Sequence, residues 1–192
     1  MEGKEVKYME VKKRCQWVNL NNEKYVKYHD EEWCVPTHDD QKLYEMLILE
    51  SFQAGLSWEC ILNKRENFRK AFDDFDIDKV VNYHEDKVSE LLSNDGIIRN
   101  KLKINSSISN SKIFKEIQKE YGSFSNYLWG FANNQVVQES FELRTTSPLS
   151  DEISKDLKRR GMKFVGSTII YSYLQAVGII NAHAKECDWN HH

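Results

Sequence analysis

Residues 39–58 read DDQKLYEMLILESFQAGLSW, and this stretch decides the fold. Asp39 and Asp40 supply helix-start carboxylates, and Gly55 marks a stop. At about 100° per residue, Leu43, Met46, Leu47 and Ala54 share one face while Ile48 and Phe52 lie opposite. A helix apolar nearly all round belongs inside a helical core. Glu50 falls in the centre of the first apolar stripe, where an ionised carboxylate is costly unless something polar meets it. Either it enters a structural salt bridge or cap, or it lines a pocket and meets the donor groups of a ligand.

Outward from this stretch the same periodicity recurs. A helix is expected over residues 78–92, ending near Asn94-Asp95-Gly96, and another over residues 100–121. Ser150 and Asp151 are placed to cap a helix running through Arg160, which Gly161 would stop. Ser167 or Thr168 would start a last helix over IIYSYLQAVGIINAHAKEC, residues 169–187. The only short ambiguous stretch is KFVGSTII, and 2 prolines with 8 dispersed glycines enforce few breaks. The expectation is an all-α fold.

Length and composition bound the function. A chain of 192 residues, 40% hydrophobic and 30% charged, can bury a core as a single domain or two small lobes. No run of about 18 apolar residues suggests a membrane span. The stretch MEGKEVKYMEVKKRC lacks the apolar core of a secretory signal, so a cytoplasmic location and reduced cysteines are expected. A formal net charge of -3 argues against a uniformly basic nucleic-acid binder, so any such surface is local. Two basic runs qualify, Lys155 to Lys163 and Arg99-Asn100-Lys101-Leu102-Lys103; as isolated features both also read as solvated helix faces.

Three constellations carry chemistry. In LLSNDGIIRNKLKI, residues 91–104, a helix end, a tight turn at Gly96 and a basic helix start have the shape of a helix-hairpin-helix. Backbone amides at the second helix start, with Arg99 and Lys101, could hold a phosphate, or the segment is an ordinary connection. Secondly, on the expected last helix His183 and Cys187 stand four apart and would leave the same face. With Cys15 and His29 they make a Cys2His2 set that suits tetrahedral zinc, and four protein ligands would make the metal structural. The alternative is two buried cysteines and two satisfied histidines. Thirdly, Tyr25, Tyr28 and Trp33 upstream and Trp58 downstream place rings around the Glu50 helix, as a base-stacking box or as core.

The segments RCQW, YHDEEWCVP, LESFQAGLSW, KRENFRKAF, GIIRNKLKI, TSPLSDEISKDLKRRGMKFVGSTIIYSYLQAVGIINAH and HAKEC, in this order over residues 14–187, closely resemble the DNA-3-methyladenine glycosylase I family. The resemblance implies a helix-hairpin-helix lobe, about residues 39–149, and a lobe of residues 14–38 with 150–190 in which both chain ends bind one zinc ion. It implies Cys15, His29, His183 and Cys187 as the ligands, Glu50 as the group that contacts the excised base, Trp58 as its stacking partner, and Tyr28, Trp33 and Tyr25 as further pocket positions. Gln53, Gly55 and Leu56 match the segment that probes the duplex. The implied activity is monofunctional hydrolysis of the N-glycosidic bond of 3-methyladenine in alkylated double-stranded DNA, with free 3-methyladenine as product, no strand cleavage, no membrane partner and a monomeric enzyme. Cys34 departs from the family pattern, standing where EWGVP has glycine. Two rivals are a non-catalytic, zinc-stabilised nucleic-acid-binding module and a zinc hydrolase; a buried anion argues against the first, and a closed set of four ligands against the second.

Overall fold

The computed structural model describes residues 12–139 and 144–190. The stretch up to residue 11 and the terminal His191 and His192 lie outside them. The order is α1 (Glu23–Glu31), α2 (Asp40–Gln53), α3 (Trp58–Ala71), a 3-10 turn (Asp73–Phe75), α4 (Ile77–Val80), α5 (Glu85–Ser93), α6 (Lys101–Tyr121), α7 (Phe124–Gly130), β1 (Val137–Gln138), α8 (Pro148–Arg159), α9 (Ser167–Ala176) and β2 (Ile180–Asn181). The all-α expectation agrees with this architecture.

α2 is the axis of the molecule and packs against α3, α6, α7 and α9. Every residue from Leu43 to Phe52 is buried, as its two-sided apolar pattern requires. Fully burying each large side chain stabilises the fold by about 1.5–3 kcal/mol. Asp39 caps the helix through Gln41 N, as its position suggests. The expected ends of the neighbouring helices also hold: Gly122 (φ 83°) follows α6 and Gly161 (φ 100°) follows α8, both left-handed.

Elsewhere the structure corrects the sequence reading. Residues 78–92 do not form one helix. α4 ends at Val80, and α5 restarts at Glu85 after a turn in which the Asn82 side chain donates to Asp78 O. The α8 cap is Ser147, not Ser150 or Asp151. Ser147 and Ser150 form a reciprocal capping box and Pro148 takes the first turn, where its missing N–H costs nothing.

The last helix stops at Ala176 and does not reach Cys187. Gly178 adopts φ 75°, and a Cβ there would sit 2.2 Å from Pro36 N. The chain crosses the 35–36 backbone too closely for any other residue and then pairs in parallel with β1, Val137 opposite Ile180. His183 and Cys187 therefore lie on an irregular tail, and helical spacing does not bring them together. The ambiguous KFVGSTII resolves into a loop, with Phe164 left-handed (φ 55°), followed by the start of α9.

Three helices have no counterpart in the sequence reading. α1, α3 and α7 start at side-chain caps from Asn22, Ser57 and Ser123, weak local signals without an apolar stripe as clear as that of α2. Among the described residues, no helix is long and apolar enough to cross a membrane.

Candidate functional site

α2 carries two buried glutamates with opposite surroundings. Glu45 accepts from Arg65 Nε at 2.6 Å and lies 2.9 Å from Arg69. Arg65 also reaches Glu32, which Lys42 holds at 2.8 Å. This network ties α1, α2 and α3 together. Glu50, 2% exposed, faces a cavity of about 230 Å³, and its Oε2 is buried without a hydrogen-bond partner. Burial pushes the carboxyl well above its ordinary range.

Two further buried polar atoms in the same cavity lack partners: Gln53 Oε1, from the last turn of α2, and Trp58 Nε1, from the first turn of α3. Native proteins leave few such groups, and three around one hollow point to a ligand that supplies their hydrogen bonds. The walls are aromatic. Tyr28 and Trp58 lie 5.3 Å apart at 49° on one side; Trp17 meets Tyr25 at 5.2 Å and Trp33 at 4.8 Å on another. Pockets for drug-sized ligands run to about 300–1,000 Å³, so this one suits a single flat heterocycle.

The structure thus brings together Glu50, Gln53, Tyr25, Tyr28, Trp33 and Trp58. It adds lining residues that sequence reasoning missed: Trp17, Arg144, Tyr171 and Gln175. Trp17 lies inside the RCQW motif, and the four-residue spacing of Tyr171 and Gln175 on α9 was the available signal. Tyr171 donates to Glu139 Oε2 at 2.7 Å, which fixes that wall. The α2–α3 connection leaves the rim. Gly55 is left-handed (φ 79°) with open space where a Cβ would be, and Leu56 is 41% exposed.

Behind the aromatic wall lies a second cluster. Cys15, His29 and Cys187 are all buried, with one ligand atom from each within 4.8 Å of the others. His29 Nε2 is 3.5 Å from Cys187 Sγ, and its Nδ1 is 2.8 Å from Asp30 Oδ1. Arg14 clamps Asp30 in turn, a second shell of the kind that orients metal-bound histidines. His183 stands beside them, its ring 5.3 Å from that of His29, and its Nδ1 is 2.8 Å from Asn181 Oδ1. Reciprocal bonds between Lys13 and Asp188 join the two chain ends. Burial holds the His29 imidazole below its ordinary value, in the neutral form that ligates, and pushes the Cys15 thiol up to about 12. A thiol, an imidazole and a second thiol converging away from water fit a borderline-soft divalent cation, which would stabilise the thiolates that burial disfavours. Trp33 belongs to both clusters: it lines the cavity and stacks on His29 at 5.8 Å.

The remaining predicted residues are surface features. Arg99 and Lys101 are exposed beside the turn between α5 and α6. The Gly96 N–H is already bound by Asn94 Oδ1, and its carbonyl accepts from Lys64 and Asn67. In the other basic run, Arg159 and Arg160 pair with Asp156, and Arg160 also with Glu120, so internal ion pairs occupy the two arginines. Cys34, outside the metal cluster, is left-handed at φ 62°, the conformation that glycine adopts most readily.

The chain is thus a helical protein that, among its described residues, holds a carboxyl oxygen without a hydrogen-bond partner in an aromatic cavity backed by a thiol–imidazole cluster. The methyladenine glycosylase family model matches residues 17–191, and the chain belongs to this family. DNA-3-methyladenine glycosylase 1 of Escherichia coli is 44% identical over 178 residues, 91% of this chain and 95% of that protein. DNA-3-methyladenine glycosylase of Haemophilus influenzae is 37% identical over 91% and 96% of the two chains. The fold is similar to a crystal structure of 3-methyladenine DNA glycosylase I, with TM-score 0.88, 42% identity and coverage of 92% and 99%. It is also similar to the Staphylococcus aureus enzyme studied for its recognition of 3-methyladenine, with TM-score 0.84, 34% identity and coverage of 87% and 91%.

Proposed function

We propose that this chain is a monofunctional DNA repair glycosylase that flips 3-methyladenine out of alkylated double-stranded DNA and hydrolyses its bond to the sugar. The observation that carries this reading is the trio of partnerless buried atoms, Glu50 Oε2, Gln53 Oε1 and Trp58 Nε1, around one ring-walled hollow. Membership of the family and the activity of the named relatives support it.

Methylation at N3 makes the adenine cationic while it is attached, and so a good leaving group. A positive charge entering the cavity opposes the upward shift that burial imposes on Glu50, since a nearby cation favours the carboxylate. Glu50 then accepts hydrogen bonds from the polar edge of the base, while Trp58, Tyr28, Tyr25 and Trp33 enclose its faces. An uncharged adenine brings no such compensation. The C1′–N9 electron pair leaves with the base, which departs neutral. Water adds to the sugar cation and loses its proton to solvent. Strand cleavage is not expected, because the single buried lysine among the described residues, Lys103, lies outside the cavity lining and is already bound to backbone.

Gln53, Gly55 and Leu56 probe the duplex where the base leaves, Leu56 as an apolar wedge. α5, the 94–100 turn and α6 act as the helix-hairpin-helix of residues 39–149. The phosphate grip there falls to Arg99, Lys101 and the turn after Gly96, since the Gly96 amide is engaged internally. Residues 14–38 and 150–190 form the other lobe, with one structural zinc held by Cys15, His29, His183 and Cys187. The metal supports the pocket through Trp33 and takes no part in the reaction.

The test is chromatography of bases released from methylated duplex DNA, before and after chelation. Release of 3-methyladenine by the untreated protein, with lowered thermal stability and weaker release after chelation, is the expected outcome. DNA retarded without release would instead support a non-catalytic binding module, and release undiminished by chelation would remove the role given to zinc.

A further inference from the structure

Lys103 is in the first turn of α6 and is only 7% exposed. Its Nζ donates to the carbonyl oxygens of Phe52, at 2.7 Å, and Ala54, at 2.6 Å. These are carbonyls at the C-terminal end of α2, which no intrahelical donor satisfies and where the helix dipole favours a cation. Burial holds the ammonium below its ordinary value; among the described residues no carboxylate offsets its charge. The Phe164 ring stands 5.9 Å away, on a loop that Asn110 of α6 grips through both Lys163 O and Lys163 N.

A buried cation without a counter-ion is a costly way to satisfy those carbonyls, since water could do so and the left-handed Gly55 already turns the chain. What a lysine adds is reach. It joins the start of the DNA-facing α6 to the backbone where Glu50's helix becomes the exposed Gly55–Leu56 rim. We propose that Lys103 is a positioning residue that holds residues 54–57 in the shape needed for insertion into the duplex, and couples that loop to the α5–α6 hairpin. The proposal rests on the glycosylase reading for its consequence in catalysis, but the positioning itself is measurable without DNA. The binding energy of the duplex is then not consumed in ordering the loop.

The experiment compares wild type with K103M, which keeps the side-chain bulk and removes the donor, and with K103R, which keeps the charge. If K103M does not fold, K103L, which also lacks the donor, takes its place. Three quantities are read: amide exchange at 54–57 relative to α9, single-turnover release of 3-methyladenine from saturating methylated duplex, and affinity for free 3-methyladenine by tryptophan fluorescence. In K103M, exchange at 54–57 is expected to rise about 10-fold while that of α9 is unchanged. Release should fall by about 10- to 100-fold, the scale of a small misplacement near a reacting centre. Affinity for the free base should stay within about 3-fold, because Lys103 does not line the pocket, and K103R should recover part of the release. Unchanged exchange at 54–57, or free-base affinity falling in step with release, would overturn the proposal. An inactive wild type would overturn the proposed activity instead, and the exchange data would still decide what Lys103 does.

Discussion

Glu45 and Glu50 stand five residues apart on one helix, both buried, and the protein treats them in opposite ways. Glu45 meets two guanidinium groups and ties α2 to α3. Glu50 meets a hollow and has a carboxyl oxygen without a partner. The first is the arrangement by which a fold tolerates a buried anion; the second is one that a fold optimised only for stability would replace. The contrast separates architecture from function more sharply than burial or residue type, which the two share.

The largest expected effect tests the architectural half. Glu45→Ala leaves Arg65 with Glu32 alone, so the loss should be about 3 kcal/mol, the lower end for a broken buried ion pair. Denaturant melts should show it, while affinity for free 3-methyladenine remains. A loss of base affinity as large as the loss of stability would erase the distinction.

Glu50→Gln should do the reverse. Release of 3-methyladenine is expected to fall about 100-fold, the scale of removing one preorganised electrostatic partner, with stability at neutral pH equal to or above that of wild type. A less stable but fully active E50Q would show that Glu50 is structural after all.

The smallest effect is a slope. Below about pH 4.5, the ordinary value for the group, both folded and unfolded chains carry neutral Glu50, and it adds no pH dependence. Above it the unfolded chain ionises while burial keeps the folded carboxyl protonated, so rising pH favours unfolding by at most about 1.4 kcal/mol per unit until the folded pKa is passed. The stability advantage of E50Q over wild type should therefore be absent at pH 4 and widen toward neutrality. An advantage that does not change with pH would mean that Glu50 keeps its charge in the folded protein.

The legible parts of this molecule were local. The Asp39 cap, the apolar sweep of α2, the misfit of Glu50 within it, the end of α6 at Tyr121 and the glycine stop at 161 all follow from residues a few positions apart. The metal ligands were named by resemblance, and Cys15, His29 and Cys187 do converge, but the helical spacing offered for His183 and Cys187 was the wrong reason. Gly178 ends α9 early because the backbone at Pro36 passes against it, and no pattern within residues 169–187 contains that fact.

What the sequence determined by itself was the helical class, the central position of α2 and the presence of an acid in an apolar stripe, because these depend on backbone periodicity over three to four residues. What only tertiary structure decided was which acid has partners. The arginines that neutralise Glu45 arrive from α3, the rings that leave Glu50 facing a cavity arrive from α1, α3 and the N-terminal segment, and Lys103 reaches α2 from 51 residues away. Side-chain electrostatics acts through space, so its pairing is settled only when distant segments are packed together.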